Sequence, residues 1–357
     1  MIGDRMKQAR RAAGLSLRAL AEQAGISAMA ISKYENNKST PSSKVLLALG
    51  RALNVRVEYF FRQTNVALKE VEYRKHARLP KRLLAQIEGD IIEQIERFLE
   101  LAEYLPTRPI ETFQVPAGLP KRIDELAQIE VVATQVREAW QLGTNPIPEL
   151  TDTLEERGIL VFQSEALHGE RFDGLAANVD GIPIVVVGSG WPGDRQRFTL
   201  AHELGHLILK GRLGPALKEQ EEAAANRFAG AFLAPESEVK KELGASRTRL
   251  EVRELCVLKK AYGLSIGGWQ HRARDLGIVS EAAYISMVRF FRLRGWHKNE
   301  PCGGVPQEQP QLFLQLVYHA LAEDLIGESK AAELLRIPLA EFHAQRNMDS
   351  AEHAPHQ

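Results

Sequence analysis

Residues 197–209, RFTLAHELGHLIL, contain the densest chemistry in the chain: His202-Glu203-x-x-His206. On a helix, positions i and i+4 share a face, so two imidazoles at this spacing can meet one divalent metal ion. Glu203 then lies beside the metal without ligating it, where its carboxylate can take a proton from an attacking water. Zinc brings the pKa of water down to about 7, which makes hydroxide available at neutral pH. The five-residue pattern would arise by chance in about one chain in a hundred, so its surroundings matter. Apolar Phe198, Leu200, Leu204 and Leu207 give the segment a buried side. The plain alternative is a helix with two ordinary histidines.

A catalytic zinc needs a third protein ligand and an open position. The helix predicted over 219–233 offers Glu219, Glu221 and Glu222. Glu222 and Asn226 share a face with small Ala229 and Gly230, and that face can approach the metal helix closely. Glu221 shares a face with Phe228 and Phe232, which belong in a core. Glu222 is the ligand this reading selects, with Asn226 placed to orient a histidine; Glu221 stays open as the alternative.

Several elements must position this centre. Helices are predicted over 121–143 and 149–157, and strands over 158–163, 174–179 and 182–187, with Asp180-Gly181 as a hairpin turn. The strand at 174–179 could accept an extended peptide at its edge. His168 and Asp173 read as loop residues.

The chain's 46 basic and 46 acidic residues cancel, but residues 1–62 hold eleven Lys or Arg against four Asp or Glu. A basic block suits phosphate binding. Helices are predicted over 2–13, 17–24, 28–36 and 44–53, with Ser16 and Ser27 as caps and Gly14 and Gly25 as stops. Two short helices across a glycine turn form a helix-turn-helix.

The stretch LSLRALAEQAGISAMAISKYENNKSTPS (15–42) resembles the phage-repressor or Cro-type helix-turn-helix family, with Ala21, Gly25 and Ile31 at the packing positions. The resemblance covers residues 3–62. It implies double-stranded operator DNA as a partner. Ser27, Ala28, Met29, Ser32 and Lys33 would face base edges, and Arg18, Asn36 and Lys38 would lie near phosphates. A reading helix so poor in donors would lean on Lys33 and on DNA shape. Burial of Met29 in the core, with protein rather than DNA as the partner, is the alternative.

Residues 122–240 resemble the ImmA/IrrE metallopeptidases. The likeness runs through Ala139-Trp140, Pro146-Ile147-Pro148, Gly158-Ile159, Phe172-Asp173-Gly174-Leu175, RFTLAHELGH, Glu222, Ala225-Asn226-Arg227-Phe228-Ala229 and Leu233-Ala234-Pro235. It implies a zincin-like fold with Zn²⁺ held by His202, His206 and Glu222, and Glu203 as general base. Ala224 and Ala234 depart from the family pattern without touching those positions. Cleavage of a repressor or antitoxin-like regulator, in cis or in trans, is what the resemblance implies. A metal- or ligand-sensing transcription factor without turnover is the rival, and the intact Glu203 favours the enzyme.

The remaining chain is mostly helical in prospect. Residues 81–105 carry an apolar stripe (Leu84, Ile87, Ile91, Ile95, Phe98, Ala102, Leu105) that by itself suits either a seam in a homodimer or a face laid on its own domain. The resemblance to the DNA-binding family favours the homodimer, because paired half-sites need paired subunits. Residues 248–278 and 329–342 echo the helix-turn-helix rhythm, with Arg272 and Arg274 expected to face out. Cys256 and Cys302 are far apart and in no pairing motif, which fits a reducing, cytoplasmic setting. Neither a signal peptide nor a membrane-spanning run is legible. The expected architecture is α+β and multidomain: an all-α helix-turn-helix domain at 1–63, a linker and amphipathic helix at 64–120, the zincin-like domain at 121–243, a helical region at 244–348 and a disordered tail at 349–357 carrying His353 and His356.

Overall fold

The computed structural model describes residues 2–61, 69–73, 81–164 and 174–348. His168, Asp173, the tail and most of the 63–80 linker lie outside the described residues. The chain forms two compact units. One contains Met1–Lys69, Leu79–Glu111 and Pro310–Gln357; the other contains Glu70–Arg78 and Thr112–Gln309. Helices C-terminal to residue 244 therefore fall in both units.

In the first unit, α1 (Ile2–Ala12), α2 (Leu17–Ala24), α3 (Ala28–Glu35) and α4 (Ser43–Leu53) enclose Met6, Leu20, Ile31, Leu49 and Phe60. Ser16, Ser27 and Ser42 accept from the amides of Ala19, Ala30 and Val45 and cap α2, α3 and α4. Gly25 stops α2 at φ 66° and ψ 33°, a left-handed conformation open to glycine. Arg10 grips Glu35 through Nε at 2.5 Å and Nη2 at 2.9 Å, tying α1 to α3. A 3₁₀ turn at Val57–Phe61 closes the set.

Strand β1 (Lys69–Tyr73) and helix α5 (Lys81–Tyr104) follow. The α5 stripe is used inside the chain: Ile87, Ile91, Ile95, Phe98 and Leu101 are all buried. Gly89 admits α1 closely, because a β-carbon there would lie 2.7 Å from the Ala12 amide nitrogen. A stripe consumed in this way gives no seam to a second subunit.

The second unit begins with α6 (Gln128–Ala139) and α7 (Leu150–Glu156), followed by β2 (Leu160–Ser164), β3 (Gly174–Val179) and β4 (Ile182–Gly188). β2 pairs parallel with β4, and β3 pairs antiparallel with it from Gly174↔Val187 to Val179↔Ile182. The sheet order is β1-β3-β4-β2. Asp180 (φ 49°) and Gly181 (φ 88°) make the hairpin turn.

Helix α8 (Gly193–Leu209) lies on this sheet, and α9 (Pro215–Lys218), α10 (Glu221–Leu233) and α11 (Glu236–Leu243) follow. Helices α12 (Val252–Tyr262), α13 (Ile266–Asp275) and α14 (Glu281–Leu293) complete the same core through Leu255, Tyr262, Trp269 and Phe291. Two expectations are corrected here. Arg272 does not face out: it is 1% exposed, because its guanidinium meets Glu130 of α6 at 2.6 and 2.9 Å. Cys256 of α12 and Cys302 are joined, with Cα atoms 5.7 Å apart, because the chain after α14 folds back over α12.

The chain then returns to the first unit as α15 (Leu312–Ala322), α16 (Glu328–Leu335) and α17 (Leu339–Arg346). These repeat α1–α3 in length, at 11, 8 and 8 residues. Arg336 (φ 58°) stands where Gly25 stands, and Ile337 donates to Ala332 O at 3.1 Å as Ile26 donates to Ala21 O at 3.0 Å. The rhythm at 329–342 is thus a true helix–turn–helix geometry. Its charge differs: residues 312–348 hold three basic residues against five acidic ones, which is unsuited to phosphates. Among the described residues no helix is long and apolar enough to cross a membrane.

Candidate metal centre

Helix α8 is buried along most of its length, which is why its hydrophobic residues are not confined to one stripe. It packs on the sheet at Gly174, where a β-carbon would lie 2.6 Å from Thr199 Cγ2, one turn before Glu203. On its other side it meets α10. A β-carbon on Gly205 would approach Phe228 Cδ1 to 3.1 Å and Ala225 Cα to 3.3 Å, so the small residues at 205 and 225 set how close the helices come.

That approach brings the sequence-selected groups together. His202 is fully buried, and its Nδ1 lies 2.9 Å from Asn226 Oδ1. With this amide oxygen accepting, the proton sits on Nδ1 and Nε2 keeps its lone pair. That lone pair faces His206 Nε2 at 3.0 Å. Glu222 Oε2 is 3.5 Å from His202 Nε2, and Glu222 Oε1 is 3.7 Å from His206 Nε2. One ligand atom each from His202, His206 and Glu222 therefore lies within 4.8 Å of the others. Two nitrogen lone pairs and a carboxylate oxygen converging on one point repel unless a cation lies between them, so the donor set fits a divalent metal.

Glu221 stands elsewhere. Its Oε1 is 3.5 Å from His206 Nδ1, the ring nitrogen remote from the convergence point. Glu203 is 3% exposed on the same helix, in the turn between the two histidines. The β3 edge that was expected to take an extended peptide is flanked by β1 in the sheet order.

Residues 154–274 match the IrrE N-terminal-like domain family, and residues 6–60 match the Helix-turn-helix family. The chain carries a DNA-binding helix-turn-helix domain and an IrrE N-terminal-like, metallopeptidase-type domain. No curated protein matches it. The IrrE-like match runs past residue 243 and through α13, in keeping with the shared core of α8, α10, α12 and α13. In the helix-turn-helix domain Arg18, Ser27, Met29, Lys33, Asn36 and Lys38 are exposed, and Ala28 and Ser32 are half-buried. Met29, at 69% exposure, is not a core residue.

What sequence reasoning missed in the IrrE-like domain is the support behind the three converging donors. Glu130 accepts from Arg227 Nε at 2.5 Å as well as from Arg272, which fastens α10 to α6 and α13. Arg137, its guanidinium pushed down to about 10 by burial, donates to Phe232 O at 2.6 Å near the end of α10. No local spacing signals either partnership.

Asn226→Ala is expected to weaken affinity for a divalent metal about 10- to 100-fold, since it removes the group that fixes the His202 tautomer. Competition against a chromogenic chelator measures this, and an unchanged affinity would deny Asn226 the orienting role.

Proposed function

We propose that the chain is a zinc-dependent endopeptidase that cleaves a repressor or antitoxin-like regulator and thereby controls transcription from DNA bound by its own helix-turn-helix domain. The convergence of His202 Nε2, His206 Nε2 and Glu222 beside Glu203 carries this reading. Zinc is the cation chosen, because two imidazoles and one carboxylate are the ligand set of catalytic zinc. Glu222 is the third ligand and not Glu221, since only Glu222 reaches the side where both Nε2 atoms meet.

Bound there, zinc would supply Lewis acidity to a peptide carbonyl and acidify water. The protein's own groups do the rest. Asn226 Oδ1 holds the His202 proton at Nδ1. The Glu203 carboxylate takes a proton from the attacking water and passes it to the departing amine nitrogen. A substrate strand adding to β3 would have to take the place of β1.

On DNA, Ser27, Ala28, Met29, Ser32 and Lys33 face base edges and Arg18, Asn36 and Lys38 face phosphates. Lys38→Ala is expected to weaken binding evenly across sequences and to reduce the salt slope of affinity by about one; Lys33→Ala changes preference among sequences by about 1–3 kcal/mol. Titrations at several salt concentrations separate the two, and an unchanged slope for Lys38→Ala would remove its phosphate contact. A two-fold operator would need two copies of the chain, meeting through a surface other than the α5 stripe.

Metal content tests the central reading. Purified wild-type chain is expected to hold about one zinc, and His206→Ala almost none. Only the wild type should then cleave a regulator encoded nearby. A metal-free wild type would overturn the proposal.

A further inference from the structure

The segment over residues 299–309, between α14 and α15, has no regular structure, yet it is pinned along its length to the start of α8. Gly193, the first residue of α8, donates to Val305 O at 2.9 Å, and a β-carbon on Gly193 would collide with Pro306 O. Gln307 donates to Ser189 O and Trp191 O, both at 2.6 Å. Glu308 is buried, accepts from the Thr151 amide at 2.7 Å and pairs with Arg197 of α8. At its other end Glu300 accepts from Lys259 at 2.7 Å and from the Ile266 and Gly267 amides at 3.1 Å. Lys259 also pairs with Asp194 in the first turn of α8 at 3.3 Å. One turn before Lys259 on α12, Cys256 is bonded to Cys302 of the segment.

We propose that Cys256 and Cys302 are a reversible redox pair, and that their disulfide fastens this strap over the first turns of α8, the helix bearing His202, Glu203 and His206. Their Cα separation of 5.7 Å suits a bridge without backbone movement. Both residues are half-buried, so small oxidants and reductants reach them. The oxidant is hydrogen peroxide: one thiolate attacks an oxygen and breaks the O–O bond, giving a sulfenic acid and a hydroxide that takes a proton from solvent. The second thiol then displaces the sulfenic hydroxyl, which leaves with the thiol proton as water, to form the disulfide. A dithiol reverses the step by exchange, leaving with the disulfide and returning both thiols. Reduction opens a loop spanning a sequence separation of 46. The strap then loses its covalent tie to α12 and keeps only noncovalent contacts, and α8 frays from Gly193 toward the histidines. The consequence for catalysis rests on the metallopeptidase reading, but the latch itself does not.

The test uses the full chain with peroxide or dithiothreitol, and reads thiol count and hydrogen exchange at the amides of residues 193–198. The expected result is two thiols after dithiothreitol and none after peroxide. Exchange at those amides should be at least about tenfold faster in the reduced state, with the melting temperature roughly 5–10 °C lower. Cys302→Ser, with its single thiol, should match the exchange rate and melting temperature of reduced wild type under both conditions. Glu308→Gln should keep the disulfide yet speed exchange. Two thiols persisting after peroxide, or equal exchange in both states, would overturn the proposal. The redox response in a chain that holds no zinc would leave the latch standing and would sink the metal reading alone.

Discussion

Glu203→Gln is expected to keep zinc at the wild-type stoichiometry while losing cleavage by about 10²–10⁴-fold, the range for removing a general base. Glutamine has nearly the same shape, so the packing of a residue only 3% exposed is preserved. The three converging donors belong to His202, His206 and Glu222, so metal affinity should not depend on the change. What disappears is a carboxylate oxygen able to accept the proton from water. His206→Ala gives the opposite pattern, with metal and activity lost together. Comparing zinc content and cleavage rate in the two variants separates base from ligand. Should Glu203→Gln act normally in the cell while His202→Ala fails, the domain senses metal and does not turn over.

Glu130→Ala is expected to destabilise the IrrE-like unit by about 3–5 kcal/mol, because it takes the carboxylate from the buried Arg272 and one of two carboxylates from Arg227. Arg272 is almost wholly buried and would keep only its bonds to Ala234 O, at 3.0 and 3.1 Å. Arg227 would keep Asp275 Oδ2 at 3.2 Å and the Asp275 carbonyl at 3.0 Å. Removing one partner of a buried pair leaves the desolvated charge uncompensated, which is worse than never having built the pair. Urea unfolding followed by circular dichroism reads the loss as a lower midpoint at constant slope. Glu130→Gln should lose less, since its amide oxygen still accepts. An unchanged midpoint for Glu130→Ala would show that the network contributes nothing net. Because Arg227 lies on α10, one residue after Asn226, zinc affinity should fall together with stability.

The apolar stripe on α5 shows what periodicity leaves open. Its spacing was legible, but a stripe has no label for its partner: a second subunit and the chain's own α1 both bury Ile87 and Ile91 equally well. The close approach at Gly89 and Ala12 selects α1. Arg272 shows a different limit. An arginine on a short helix reads as solvated unless a carboxylate waits opposite, and Glu130 is 142 positions away. The joined cysteines are the same case, since a separation of 46 residues carries no pairing signal.

By itself the sequence determined whatever depends on neighbours within a turn or two. Ser16, Ser27 and Gly25 bound the helices of the DNA-binding domain through caps and a left-handed stop that act within a few residues. The i, i+4 spacing of His202 and His206 puts both rings on one face of any helix they form, and Glu222 and Asn226 share a face for the same reason. Only the tertiary structure decided how those two faces meet. The small residues at Gly205 and Ala225 let α8 and α10 close until Glu222, not Glu221, lies beside both Nε2 atoms. Local spacing orients a side chain about its own helix, whereas the distance between helices is set by packing among residues remote in the chain.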